Sequence, residues 1–222
     1  MLTGLFWVTV GVALLEWLAA WSHWKRIRWV TKPATLVLLI AWFTQIGHWQ
    51  GPLLWFGIGL VFSLAGDILL MLPDRFFLPG LVAFLMTHLF YIVGYWQRPV
   101  QLTWVAAPLV LLVGLVFWLL TRQIRAGLRQ RHETGMIPPV MVYATILSLM
   151  WLSALFNLLR PGWQATPAIL ASIGAGLFFL SDAMLAFNRF VRSLPAADLL
   201  VMATYHTGQI LIALSVLMNF AG

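Results

Sequence analysis

Two aspartates interrupt apolar runs in a chain with little charge elsewhere: Asp67 in "FSLAGDILLML" and Asp182 in "FFLSDAMLAF". A carboxyl held away from water can deliver a proton to a substrate. Once ionised, it can stabilise a developing cation or orient a water. Two carboxyls in different surroundings can divide these roles. A histidine follows each of them, His88 after Asp67 and His206 after Asp182. Spacing at i,i+3 or i,i+4 places Ser63 on the face of Asp67, Tyr91 on that of His88, and both Tyr205 and His206 on that of Gln209. Each helix can thus aim a polar stripe inward.

Other chemistries are poorly served. The chain has no Cys, which removes thiolate nucleophiles and disulfides. It has no GxSxG elbow, phosphate-binding loop or HExxH pair. Asp67, Asp182, His88 and His206 are suitable ligand types, but no helix supplies two at ligand spacing, so no metal is expected and acid–base work fits better. No cofactor is called for.

The elements that must position these groups lie in a bilayer. Of 222 residues, 62% are hydrophobic and 9% charged, too apolar for an exterior that must be wetted throughout. Eight apolar spans follow, roughly 3–22, 33–48, 52–72, 77–96, 100–120, 138–159, 164–186 and 198–220. The expectation is an all-α polytopic membrane protein, one bundle of eight transmembrane helices in a single domain. The first span lacks a basic leader and reads as a retained helix. The longest polar connection is 121–137.

The net charge of +7 is topological and does not point to nucleic acid. Eleven of thirteen basic residues fall in the connections between spans 1–2, 3–4, 5–6 and 7–8, with only Arg98 and Arg160 on the other side. By the positive-inside rule these four connections face the cytoplasm, and both termini face away. Many of the Trp residues cluster near span ends, as aromatic belts do. Asp67 and Asp182 then lie at similar depth in the cytoplasmic half, and Lys32, His88, Tyr143 and His206 gather towards the same leaflet.

A carboxylate in hydrocarbon costs ~2.5–3.5 kcal/mol on insertion scales. One such residue can be helix-packing glue; two at matching depth point to function. Ser63 and Ser181 read as packing residues that also bond the neighbouring carboxylates. Glu16 reads as a snorkelling residue, and Lys32-Pro33 as a helix start. The segments "SLAGDILLMLPDRF" and "FFLSDAMLAFNRF" echo each other, as two parallel four-span halves would.

The pieces "TKPATL" (31–36), "FSLAGDILLMLP" (62–73), "LPGLVAFLMTHLFY" (78–91), Tyr143, "GLFFLSDAMLAFNRF" (176–190) and "TYHTGQILIALS" (204–215) resemble the YhhN-like family of membrane proteins. Its characterised members are lysoplasmalogenases. The family's last motif usually reads Tyr-Tyr-x-x-Gln, where this chain has Tyr205-His206. The resemblance implies an eight-helix bundle that hydrolyses the vinyl ether of a lysoplasmalogen. It assigns catalysis to Asp67 and Asp182, and contact with a lysophospholipid substrate to Lys32, Ser63, His88, Tyr91, Tyr143, Ser181, Asn188, Tyr205, His206 and Gln209. The working assignment makes Asp67 the acid, on its more apolar surroundings, and Asp182 the stabiliser and base; the reverse division is nearly as good. Lys32 is expected at the lipid phosphate. A proton-coupled transporter of a lipid or small amphiphile would use the same Asp and His residues, and a lipid-binding scaffold would need neither aspartate.

Overall fold

The computed structural model describes residues 2–99 and 104–221. Eight long helices make up the chain: α1 (Gly4–Trp21), α2 (Lys25–Gly47), α3 (Leu53–Met71), α4 (Phe77–Tyr95), α5 (Ala107–Gln130), α6 (Ile137–Leu155), α7 (Ala165–Phe190) and α8 (Ala197–Phe220). Each, with its flanking turns, is long and apolar enough to cross a membrane, as a hydrocarbon core of ~30 Å requires at ~1.5 Å per residue. Proline in the first turn starts both α5 and α6, where a missing N–H costs nothing.

Two boundaries differ most from the sequence reading. α2 begins at Lys25, so its basic residues lie on a helix and Pro33 sits inside it. One interior proline removes one backbone hydrogen bond. The turns before it are held instead by α1, whose Glu16 accepts from Arg28 and Thr31. α5 likewise runs on to Gln130 through half of the polar connection. Residues 121–130 carry strong helix formers, and Thr121, Ile124 and Leu128 bury one face. The first residues expected in span five, 100–103, lie outside the described residues.

The packing order defines the architecture. α1 packs on α2, α2 on α3, α3 on α4, α4 directly on α6, α6 on α7, α7 on α8, and α8 back on α1. Seven helices thus close a ring, and α5 lies outside it against α6 and α7. α8 also reaches α2 and α3 and so fills the interior. α7 and α8 approach closely at Gly174 and Gly208. A Cβ on Gly208 would meet the Gly174 carbonyl oxygen at 2.8 Å, and one on Gly174 would meet the Gly208 oxygen at 2.9 Å. Only glycine lets these backbones touch. On its outer face α5 shows Leu111 at 71% exposure, a surface suited to lipid.

Candidate active site

A cavity of about 340 Å³ opens at the end of the ring that carries the basic connections, and both aspartates line it. Asp67 sits one turn before the end of α3 and is 1% exposed. The Lys32 ammonium lies 3.2 Å from its Oδ1, and the Tyr205 hydroxyl donates to its Oδ2 at 2.9 Å. The surroundings of Asp67 therefore include a buried ammonium that the sequence reading did not place there. The early start of α2 is the cause, because it carries Lys32 down the helix and into the bundle.

Asp182 sits two turns before the end of α7 and is 8% exposed. The Tyr143 hydroxyl donates to its Oδ2. His88 Nε2 lies 3.2 Å from the same oxygen and 3.0 Å from the Tyr143 hydroxyl. Both contacts converge on Oδ2, and among the described residues none engages Oδ1. Asp67 thus faces an amine, whereas Asp182 faces a phenol and an imidazole. Between them Phe84, Phe178 and Tyr205 pack edge to face, with centroids 5.2 to 6.1 Å apart, a geometry aromatic rings favour.

The echo between the two halves takes a crossed form here. The α3 carboxylate is met by Tyr205 from α8, and the α7 carboxylate by His88 from α4. Each half supplies one partner of the other's aspartate, while Lys32 and Tyr143 come from the aspartate's own half.

Other predicted residues are buried nearby without touching either carboxylate. Tyr91 donates to Gln209 Oε1 at 2.6 Å, Gln209 Nε2 donates to Ser63 at 2.7 Å, and Ser63 pairs with Thr87 at 3.1 Å. This relay satisfies buried polar groups and ties α3, α4 and α8 together beneath the cavity. Ser63 therefore does not bond Asp67, and Ser181 donates to the Val201 carbonyl in place of Asp182. A short hydroxyl finds its nearest acceptor across the helix contact it faces. Asn188 lines the cavity, and its Oδ1 accepts from Leu194 N–H at 2.8 Å, which fixes the turn into α8. His206 turns towards α1 and accepts from Trp17 Nε1 at 3.3 Å. Among the described residues no three His, Asp or Glu groups are placed to hold a metal ion.

Three residues matter more than the sequence indicated. Glu16 is fully buried and holds Arg28 at 3.0 Å and Thr31 at 2.5 Å. Arg28 reaches on to Asp198 at 2.5 Å, so α1, α2 and α8 are joined at the cavity mouth. Trp17 adds its bond to His206. The available signal was the basic run at 25–32, one tight turn beyond the helix that carries Glu16.

Comparison with known proteins places the chain. Lysoplasmalogenase TMEM86B of Mus musculus is 36% identical over 190 residues, 85% of this chain and 74% of that protein. Lysoplasmalogenase TMEM86A of Bos taurus is 32% identical over 81% of this chain and 75% of its own length. An uncharacterized membrane protein YhhN of Escherichia coli O157:H7 is 29% identical over 95% of this chain and 99% of its own. No solved structure matches. The sequence pattern of the YhhN family matches residues 27–216, which span both aspartates and every side chain described as touching them, and the chain belongs to that family.

Proposed function

We propose that this protein hydrolyses the vinyl ether bond of a lysoplasmalogen, releasing a fatty aldehyde and a glycerophospho-headgroup alcohol, with Asp182 and Asp67 as acid and base. Relatives at 32–36% identity named lysoplasmalogenase support the reaction class. The observation that carries the mechanism is the pair of differently partnered carboxyls on one cavity.

The proton goes from a carboxyl to the β-carbon of the C=C bond, and the resulting oxocarbenium ion is shared between the α-carbon and the ether oxygen. Water adds to the α-carbon and gives its proton to a base, which leaves a hemiacetal. The hemiacetal collapses as its hydroxyl proton returns to the ether oxygen, and the aldehyde and the alcohol separate. One water is consumed, and the proton left on the base passes back through water to the acid before the next turnover.

Asp182 suits the first step. Its Oδ2 is held by Tyr143 and His88, which leaves Oδ1 for the substrate carbon. Asp67, paired with Lys32, suits stabilisation of the cation and orientation of water. General acid–base catalysis by one such group is worth ~10²–10⁴ in rate. With Lys32 engaged, the headgroup phosphate meets Lys25, an exposed cation on the cavity wall.

The test is release of free aldehyde from a lysoplasmalogen by the purified protein in detergent. Wild type releases it; Asp182→Asn and Asp67→Asn each lose on the order of 10²-fold or more while their melting curves stay cooperative. Folded wild type that releases no aldehyde, yet drives substrate-dependent proton flux in vesicles, overturns the hydrolase in favour of a transporter.

A further inference from the structure

A second, narrower space lies behind Asp182. It is a slot of about 30 Å³ between the basic ends of α4, α6 and α7, lined by Phe77, Leu81, Val140, Leu185 and Ala186 among others. Its only polar side chains are Tyr143 and Asp182. Slot and main cavity share four wall residues, Leu70, Phe84, Asp182 and Leu185. The two spaces therefore adjoin at the proposed proton donor, charged on one side and apolar on the other.

At the basic end the slot is shut. Phe77 and Phe190 meet edge to face at 5.9 Å, and Arg189 lies over the Phe77 ring at 3.9 Å while pairing with Asp74 at 3.2 Å. On the remaining wall Leu81, Leu185 and Ala186 are partly exposed, Leu185 also lines the main cavity, and Ala186 packs towards Ile124 and Leu128 of α5.

We propose that this slot takes the start of the substrate's hydrocarbon chain, so that the lipid lies across Asp182 with its headgroup in the charged cavity and its chain on the apolar side. The inference rests on the hydrolase reading and fixes which side of Asp182 each half of the substrate occupies. A vinyl ether joins a polar glycerol to an apolar chain, and its reacting carbons are the first two of that chain. Only a site with opposite polarities on its two sides holds that junction without burying the headgroup in apolar surroundings or exposing the chain to water. The slot is tight, and a chain enters as Leu81 and Leu185 rotate aside.

Two measurements test this. Ala186→Trp and Leu81→Trp fill the slot, and because Tyr143 and Asp182 also line it the readout is a ratio of two substrates cleaved by the same variant. The kcat/KM ratio for hexadecenyl over butenyl glycerophosphocholine should fall on the order of tenfold from the wild-type ratio, the scale on which apolar pockets discriminate chain length. An unchanged ratio in both folded variants overturns the proposal. Separately, wild type is irradiated with a non-hydrolysable alkyl-ether lysophosphocholine carrying a diazirine near the start of its chain. Labelling of Leu81, Val140 or Ala186 supports the slot, and labelling confined to α1, α2 or the outer face of α5 overturns it. This second readout needs no turnover, so a wild type that releases no aldehyde sinks the hydrolase reading while the labelling still decides the slot.

Discussion

Replacing Lys32 by Met removes the cation facing Asp67 and keeps an unbranched apolar stem in its place. At 3.2 Å, a pair of unit charges is worth ~5 kcal/mol for an effective dielectric constant of ~20. Removing one member of a buried pair costs ~3–5 kcal/mol, because the other is left uncompensated. Tyr205 still donates to Asp67 at 2.9 Å, so the loss should fall at the low end, ~3 kcal/mol. For a chain of this size that is a melting point lower by roughly 6–12 °C. Adding Asp67→Asn to Lys32→Met removes the stranded charge and should restore most of the loss, while aldehyde release stays abolished. The four proteins, wild type, two singles and the double, are compared by tryptophan fluorescence during heating in detergent and by aldehyde release. A Lys32→Met variant that melts with wild type, or a double variant no more stable than the worse single, would refute the reading of Lys32–Asp67 as a buried ion pair.

Tyr143→Phe deletes the hydroxyl that orients Asp182, and kcat should fall by ~10–100-fold with KM little changed; equal effects on both parameters would argue that Tyr143 only binds. Gly208→Ala drives a methyl against the α7 backbone at 2.8 Å, so stability should drop by ~1–3 kcal/mol, read from the shift of the thermal midpoint. Lys25→Gln should raise KM for a glycerophospho substrate several-fold and leave that for a phosphate-free alkenylglycerol unchanged, since the charge serves only the phosphate.

Much of the architecture was legible because the bilayer simplifies the code. Apolar length marked the helices, and the depth of Asp67 and Asp182 followed from counting residues to each span end. Two kinds of fact escaped. Pro33 and the charges of 25–32 read as a connection, since a helix start there depends on Glu16, a residue on another helix. The same displacement hid the Lys32–Asp67 pair. Partner choice was the other loss. Ser63 shares a helix face with Asp67, yet Gln209 and Thr87 claim its hydroxyl. Helical spacing says which residues share a face, and only the packing of α3, α4 and α8 says what that face meets. The crossed pairing of His88 with Asp182 is likewise a property of the closed ring, since nothing local links α4 to α7.

The order in which these partners occur along the chain has a consequence for how it enters the membrane. Helices emerge from the ribosome in sequence, and a lone charge passing into hydrocarbon costs ~2.5–3.5 kcal/mol. Asp67 arrives after Lys32 is in place, Asp182 after both His88 and Tyr143, and Asp198 after Arg28. Of the buried acidic groups Glu16 alone precedes its basic partner, and it waits only twelve residues for Arg28, within one hairpin. Every acidic group inside the bundle therefore meets a counterpart already synthesised or about to be. A circular permutant that moved α7 ahead of α4 would keep the folded site yet present Asp182 to the lipid alone, and its yield of inserted protein should fall before its activity does.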